Sequence, residues 1–424
     1  MESRRGFLRV SAAALAAKRV LGANDRVQVG LIGCGRRGGQ IRNSLARLPD
    51  CVFAAACDVD KSRLDRVAAA IGGKVDVYAD YRRILDRKDI DAVIVATPDH
   101  WHAPMLIDAC DAGKDVYLEK PVSNALEPAL KMLAAARKSK RVIQVGCQQR
   151  SWSHFRDWAK KVQEGCLGQL RHCVLLLEGG GGRGGASRTA AAQKPPAGFD
   201  WNAWQGPAER RPYTPERHRN WRSYYDYGGG TITDWGVHLA DVMMWYTKTG
   251  RRGPLLTSAA AQYLNSPTPD LAMAPDTYSV TWKYENFVAT FTNAAPPSQN
   301  AEMMRSDAYG NYFYGRNGVV LVNRFGYAAM PARQQGPQPG GASGAALEAA
   351  RHMDPNGMDE APDSKFAEAT TLHGRDFFDS VKSRKQPCCD FETGFYSSLP
   401  CLLAVMAIRQ GRSIVWDGET ARPA

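Results

Sequence analysis

The chain has 424 residues, 44% hydrophobic and 23% charged, which is ordinary for a globular protein and long enough for two domains with separate cores. No apolar run approaches the roughly 20 residues of a bilayer-crossing helix, so no integral membrane span is expected. The net charge of +12 is spread in pairs such as Arg36-Arg37, Arg82-Arg83, Arg210-Arg211 and Arg251-Arg252, without zinc-finger spacing or an RNA-stacking motif, which argues against nucleic acid and for a solvated basic surface.

The chain opens Ser3-Arg4-Arg5-Gly6-Phe7-Leu8-Arg9, followed by the alanine-rich run Val10 to Ala17. This resembles a twin-arginine export signal, an address rather than a fold element, and implies a periplasmic destination. Lys18 and Arg19 cut the apolar run short and no A-x-A site precedes Asn24. The alternative is therefore a disordered basic tail on a cytoplasmic protein, with residues 1–25 outside the fold in either case.

From Val27 short apolar runs alternate with amphipathic stretches. Val27–Ile32, Cys51–Cys57, Val75–Tyr78, Val93–Ala96, Val116–Leu118 and Val142–Val145 read as strands. Gly38–Leu48, Lys61–Ile71, Ala103–Ala112 and Leu126–Lys138 read as helices between them. That alternation predicts an α/β fold, a doubly wound parallel sheet with helices on both faces over residues 26–148.

The first strand runs into Gly33-Cys34-Gly35-Arg36-Arg37-Gly38, a G-x-G-x-x-G turn that opens a helix. Gly33 permits the tight turn, Gly35 lets the backbone approach a diphosphate, and Gly38 allows close helix–strand packing. The helix start offers free N–H groups to the phosphates, and Arg36 and Arg37 add positive field. Asp58 closes the second strand twenty residues beyond Gly38, where a carboxylate accepts hydrogen bonds from the adenosine ribose and repels a 2′-phosphate. NAD is therefore expected; Lys61 and Arg63 keep NADP as the alternative.

Two more strand ends open on the same crevice: Ala96-Thr97-Pro98-Asp99-His100-Trp101-His102 and Tyr117-Leu118-Glu119-Lys120-Pro121. Thr97, Pro98, His102, Glu119 and Lys120, at or just after these strand ends, are candidate cofactor-binding residues. Lys120 at a strand end can point into the cleft, and Pro121 is a position for a cis bond.

After Gln148 the rhythm changes. A helix near His154–Glu164 precedes a strand at His172–Glu178, and a Gly-, Ala- and Ser-rich tract, Gly179 to Gly198, is expected to be flexible. Tryptophans and tyrosines crowd Trp201 to Trp245. Thr277–Tyr284, Phe287–Phe291 and Val319–Val322 read as strands of a more antiparallel sheet. Pro331 to Ser364 reads as a second surface loop, and Leu372–Ser383 and Tyr396–Gln410 as packed helices. Within residues 149–424 one stretch stands out. A helix beginning near Thr233 and continuing to Trp245 places Asp234 and His238 four apart on one face, so the carboxylate can orient the imidazole. Asp241, three beyond His238, could do the same.

The ten cysteines are not spaced as a disulfide set: Cys388-Cys389 are adjacent and no metal-type Cys-x-x-Cys pair occurs. Mostly buried free thiols, and no metal, are expected.

Gly33–Gly38, Glu119-Lys120-Pro121 and the Asp234…His238 helix, in that order, resemble the glucose-fructose oxidoreductase and inositol dehydrogenase family (Gfo/Idh/MocA) over nearly the whole chain from Val27. The resemblance implies a nucleotide-binding domain followed by an α/β domain with a large, mostly antiparallel open sheet that supports homo-oligomers. It implies hydride transfer between nicotinamide and a secondary alcohol of a sugar, glycoside or cyclitol. His238 would be the general base, Lys120 would stabilise the alkoxide, and Asp234 would hold the imidazole. Two other readings stay open. One is a redox-neutral glycosidase or epimerase with tightly bound NAD, although such glycosidases of this fold often lack the lysine found here as Lys120. The other is a non-catalytic dinucleotide-binding protein. The basic surface also suits an acidic substrate such as a uronate.

Overall fold

The computed structural model describes residues 26–72, 75–177, 191–264, 272–294, 308–332, 347–361 and 363–424. The segment read as an export signal lies outside the described residues, as do 179–190 of the first glycine-rich tract and 333–346 and 362 of the second.

Two sheets carry the fold. The first holds β1 (Val27–Ile32), β2 (Cys51–Cys57), β3 (Asp76–Tyr78), β4 (Ala92–Val95), β5 (Asp115–Leu118) and β6 (Ile143–Val145) in the order β3-β2-β1-β4-β5-β6, all pairs parallel. The central strands are apolar and fully buried because helices cover both faces. Those helices include α1 (Arg36–Leu45), α2 (Lys61–Ile71), α3 (His102–Asp111) and α4 (Leu126–Ser139). The strand order reverses between β1 and β4, which opens a crevice at their carboxyl ends.

After α5 (Ser153–Gln163) comes the second sheet, of ten strands. These are β7 (Leu170–Leu177), β8 (Leu256–Gln262), β9 (Thr277–Lys283), β10 (Val288–Thr292), β11 (Tyr309–Gly315), β12 (Gly318–Asn323), β13 (Gly326–Pro331), β14 (Ala350–Met353), β15 (Ile414–Trp416) and β16 (Ala421–Pro423). Their order is β14-β13-β12-β11-β7-β10-β9-β8-β15-β16, antiparallel except where β10 meets β7. Strand β9 shows why one face is wet: Tyr278, Val280 and Trp282 point inward while Ser279, Thr281 and Lys283 are exposed. The inner face packs on α6 (Gly236–Tyr246) and α8 (Phe391–Gln410). Trp282 Nε1 donates to Pro400 O of α8 at 3.0 Å, and Asn311 Nδ2 to Leu239 O of α6 at 2.7 Å.

Two expectations need correction, and one late helix packs where chain order would not place it. The segment Pro331 to Ser364, read as a loop, contributes the edge strand β14, whose four residues are too few to show a period. The helix α8 is long and apolar enough to cross a bilayer, unlike any run foreseen, but 78% of its apolar window is buried between the sheet and α6. The helix α7 (Lys365–Ser383), late in the chain, packs on the first sheet: Phe377 and Phe378 join the core of Val29, Leu31 and Ile94. A Cβ at Gly374 would lie 2.8 Å from Leu45 of α1, so that close crossing depends on glycine.

Candidate functional site

The turn after β1 is built of glycine for specific steric reasons. Gly33 has φ +95°, and a Cβ there would lie 2.6 Å from Ala96 O. At Gly38 a Cβ would lie 1.9 Å from Gly33 O. Gly35 is extended and α1 begins without a side-chain cap, which leaves its first N–H groups open to an anion. Asp58 braces the turn from β2: its Oδ2 accepts from Cys34 N at 2.8 Å and its Oδ1 from Asp60 N at 3.0 Å.

This turn opens on a cavity of about 1280 Å³, larger than the roughly 300–1,000 Å³ of a typical small-ligand pocket. Gly33, Gly35, Arg36, Arg37 and Asp58 line it, together with Thr97, Pro98, Glu119, Lys120, Asp234 and His238. Gly38 does not; it acts through packing. A dinucleotide fits these residues on physical grounds. Beside the uncapped helix start, Arg37 gives only its Nε to Glu119 (2.8 Å), while its two terminal nitrogens are buried without a partner among the described residues.

His102 also stands outside the cavity. Fully buried, it sets its ring nitrogens 2.8 Å from Pro121 O and 3.1 Å from Thr97 O, tying the two strand ends together from behind. The peptide between Lys120 and Pro121 is cis. Lys120 Nζ then reaches Asp234, donating to its backbone oxygen at 2.7 Å and to its Oδ1 at 2.8 Å.

The expected pairing of Asp234 with His238 is corrected here. The helix breaks at Trp235, so Asp234 ends a one-turn helix, Gly230–Asp234, and His238 belongs to α6. A Cβ at Gly236 would lie 2.7 Å from the Phe291 ring, so glycine there lets the start of α6 lie close against β10. Asp234 instead receives Lys120 and, at 3.2 Å, Arg222 Nε. Burial alone would raise its carboxyl, but these two cations outweigh it and hold it well below the usual range. Asp241 does not face His238 either; it receives Arg150 at 2.8 Å and Ser397 Oγ at 2.6 Å. His238 Nδ1 has no partner among the described residues. Burial, then repulsion from Lys120, Arg324 and Arg37, pushes the imidazole well below its ordinary value, so it is neutral near pH 7.

The structure adds groups that the sequence reading missed. Asp99 was quoted within its strand end but given no role. It is buried in the cavity wall and pushed up to about 8, chiefly by burial, with Arg222 opposing and Asp234 adding to the rise. The folded protein therefore keeps this proton between the ordinary carboxyl value near 4 and about 8, whereas the unfolded chain releases it. The stabilisation is whole below that window and is lost as pH rises through it. In thermal melts from pH 5 to 8, Asp99→Asn should flatten this downward slope. An unchanged slope would place the titration elsewhere. Arg222 lies in the aromatic-rich stretch, whose Trp201, Trp204 and Tyr227 cluster with Phe199 beside the cavity. Arg324 comes from the turn between β12 and β13. Neither arginine had a local motif to mark it.

Residues 27–147 match the family described as oxidoreductase, NAD-binding Rossmann fold, and residues 184–286 its C-terminal alpha/beta domain. The chain belongs to this oxidoreductase family, Gfo/Idh/MocA. Among its members, inositol 2-dehydrogenase 4 of Saccharopolyspora erythraea is 31% identical over 155 residues, 36% of this chain and 46% of that protein. The alpha-N-acetylgalactosaminidase of Shewanella oneidensis is 34% identical over 123 residues, 27% of each chain. The matched part spans less than half the length of these curated relatives. A levoglucosan dehydrogenase, solved with NADH and levoglucosan, is similar with a TM-score of 0.66 and 19% identity, covering 92% of this chain and 99% of its own. At that identity the likeness speaks to the fold.

Proposed function

We propose that this member of the Gfo/Idh/MocA family is a NAD-dependent oxidoreductase acting on a secondary alcohol of a sugar, glycoside or cyclitol. The observation that carries the proposal is the ammonium of Lys120, held by Asp234 in the same cavity as His238 and the glycine turn. When bound, the dinucleotide supplies the hydride acceptor or donor. Its diphosphate would rest on the amides at the start of α1, with Arg37 close by and Asp58 toward the adenosine ribose, a placement that favours NAD over NADP.

His238, neutral at working pH, takes the hydroxyl proton on its cavity-facing nitrogen. Lys120 donates a hydrogen bond to the developing alkoxide, and the surrounding cations favour that charge further. Asp234 is thus a positioning residue for the ammonium, a different role from the one first expected.

Two related enzymes have names that fit the proposal, an inositol 2-dehydrogenase and a levoglucosan dehydrogenase. The N-acetylgalactosaminidase favours a second reading, in which hydride leaves and returns within one cycle. We also read the N-terminal segment as an export signal. Outside the cytoplasm no NAD pool is expected to recharge the enzyme, so a retained cofactor would suit that location. The outer face of the ten-stranded sheet, with Tyr314 and Met330 exposed, is read as the face that a second copy would cover.

The test is to incubate purified protein with a panel of sugars, glycosides and cyclitols, with and without added NAD, and to follow the absorbance of reduced nicotinamide and glycoside cleavage. Net reduction that depends on His238 is expected. Cleavage without net reduction would select the second reading, and dinucleotide binding with no turnover would defeat both.

A further inference from the structure

The charges in the cavity do not balance. Lys120 and Arg222 share Asp234, and Arg37 meets Glu119. Arg36, at the mouth, meets Glu360. Arg324 has no carboxylate and donates no hydrogen bond among the described residues, although it is only 6% exposed and its Nε is buried without an acceptor. Leaving a buried cation unmatched is costly.

The molecule holds Arg324 in place nonetheless. Its turn is fixed by Asn323 Oδ1, which accepts from Phe325 N at 2.9 Å and Gly326 N at 3.1 Å. Gly357 packs so closely that a Cβ there would lie 2.2 Å from Arg324 O. The guanidinium carbon sits 4.8 Å from the Trp235 ring centre and 5.2 Å from that of Phe366. These contacts offset part of the burial cost but satisfy none of its N–H groups. Trp235, Phe366 and Arg324 all line the cavity that contains Lys120 and His238.

We propose that Arg324 is a specificity residue that receives a carboxylate on the substrate, so that the preferred substrates are sugar acids or their glycosides, with the carboxylate seated beside Trp235 and Phe366. The proposal deepens the oxidoreductase reading and takes its site as given. A planar guanidinium backed by rings offers its N–H edge, the geometry that a carboxylate matches with two parallel hydrogen bonds. Lys120 and Arg222 already share one carboxylate, so the site as a whole favours an anion, and the planar edge of Arg324 favours a planar carboxylate for it.

The experiment measures binding to the full chain loaded with NADH, by the change in NADH fluorescence. The probes are matched pairs, such as methyl glucopyranosiduronate with methyl glucopyranoside and the two galacto counterparts, with glucose 6-phosphate as a separate arm. The acid of at least one pair should bind about tenfold or more tightly than its neutral partner. Arg324→Gln should reduce that preference to within about twofold, with Arg324→Lys intermediate, while NADH affinity and the melting midpoint show each variant folded. No preference in any pair, or a preference that survives Arg324→Gln, overturns the proposal. Tighter binding of the phosphate than of every uronide overturns the carboxylate assignment. Turnover assays on the same pairs separate the two claims. A carboxylate preference without oxidation of any sugar leaves the Arg324 site standing and defeats hydride transfer, and oxidation blind to the carboxylate does the reverse.

Discussion

Lys120→Met is expected to lower turnover about a hundred- to a thousandfold while dinucleotide affinity stays near that of the parent. The methionine stem fills similar space but offers no donor to a developing alkoxide. Asp234 keeps Arg222 at 3.2 Å, so its carboxylate is not left alone and the loss of stability should be modest compared with breaking an isolated buried pair, which costs about 3–5 kcal/mol. Lys120→Arg separates charge from geometry. A guanidinium cannot place a single donor where the ammonium sits between Asp234 O and Oδ1, and little activity should return. Single-turnover reduction with saturating NAD, set beside fluorescence titration of NADH, measures the two effects apart. A Lys120→Met enzyme that turns over within threefold of the parent would remove Lys120 from the chemistry.

The second large effect is steric. In Gly38→Ala the new methyl would lie 1.9 Å from Gly33 O, a backbone atom with no side chain to swing away. The start of α1 must shift, and such overpacking costs about 3 kcal/mol. Because the same amides are to hold the diphosphate, a loss of that size in binding weakens NAD about a hundredfold. Gly39→Ala is the control. Nothing lies within 4 Å of its Cβ, and alanine gains up to about 1 kcal/mol over glycine inside a helix. Chemical denaturation and NADH titration of both variants check the pair. Equal behaviour of the two would mean that the turn is not close-packed as described.

The doubly wound half was legible in the chain because its rules are local. Strand, turn and helix alternate within short windows, and Gly33, Gly35 and Gly38 mark a turn whose steric needs are met within one βα unit. Glu119-Lys120-Pro121 was found by its place at a strand end. The second half yielded less. The six strands missed there, from Leu256–Gln262 to Ala421–Pro423, are either short or made of residues without a clean period, such as Ala259-Ala260-Ala261 in β8. Their pairing comes from strands distant in the chain.

The pattern of residues alone determined the parallel sheet and its glycine turn, since backbone preference and period-two or helical spacing act over a few neighbours, whereas Lys120, Asp234 and His238 stood out as reactive only through the family resemblance. Which charges meet was decided only by the folded molecule. Sequence spacing suggested that Asp234 would face His238, four residues on; in the fold the helix is interrupted at Trp235, and the carboxylate meets Lys120, 114 positions away. The same holds for Arg324, whose unmatched charge exists only because a turn of the distant sheet carries it into the cavity. Coulomb attraction and desolvation depend on distance in space, and a linear pattern does not encode that distance.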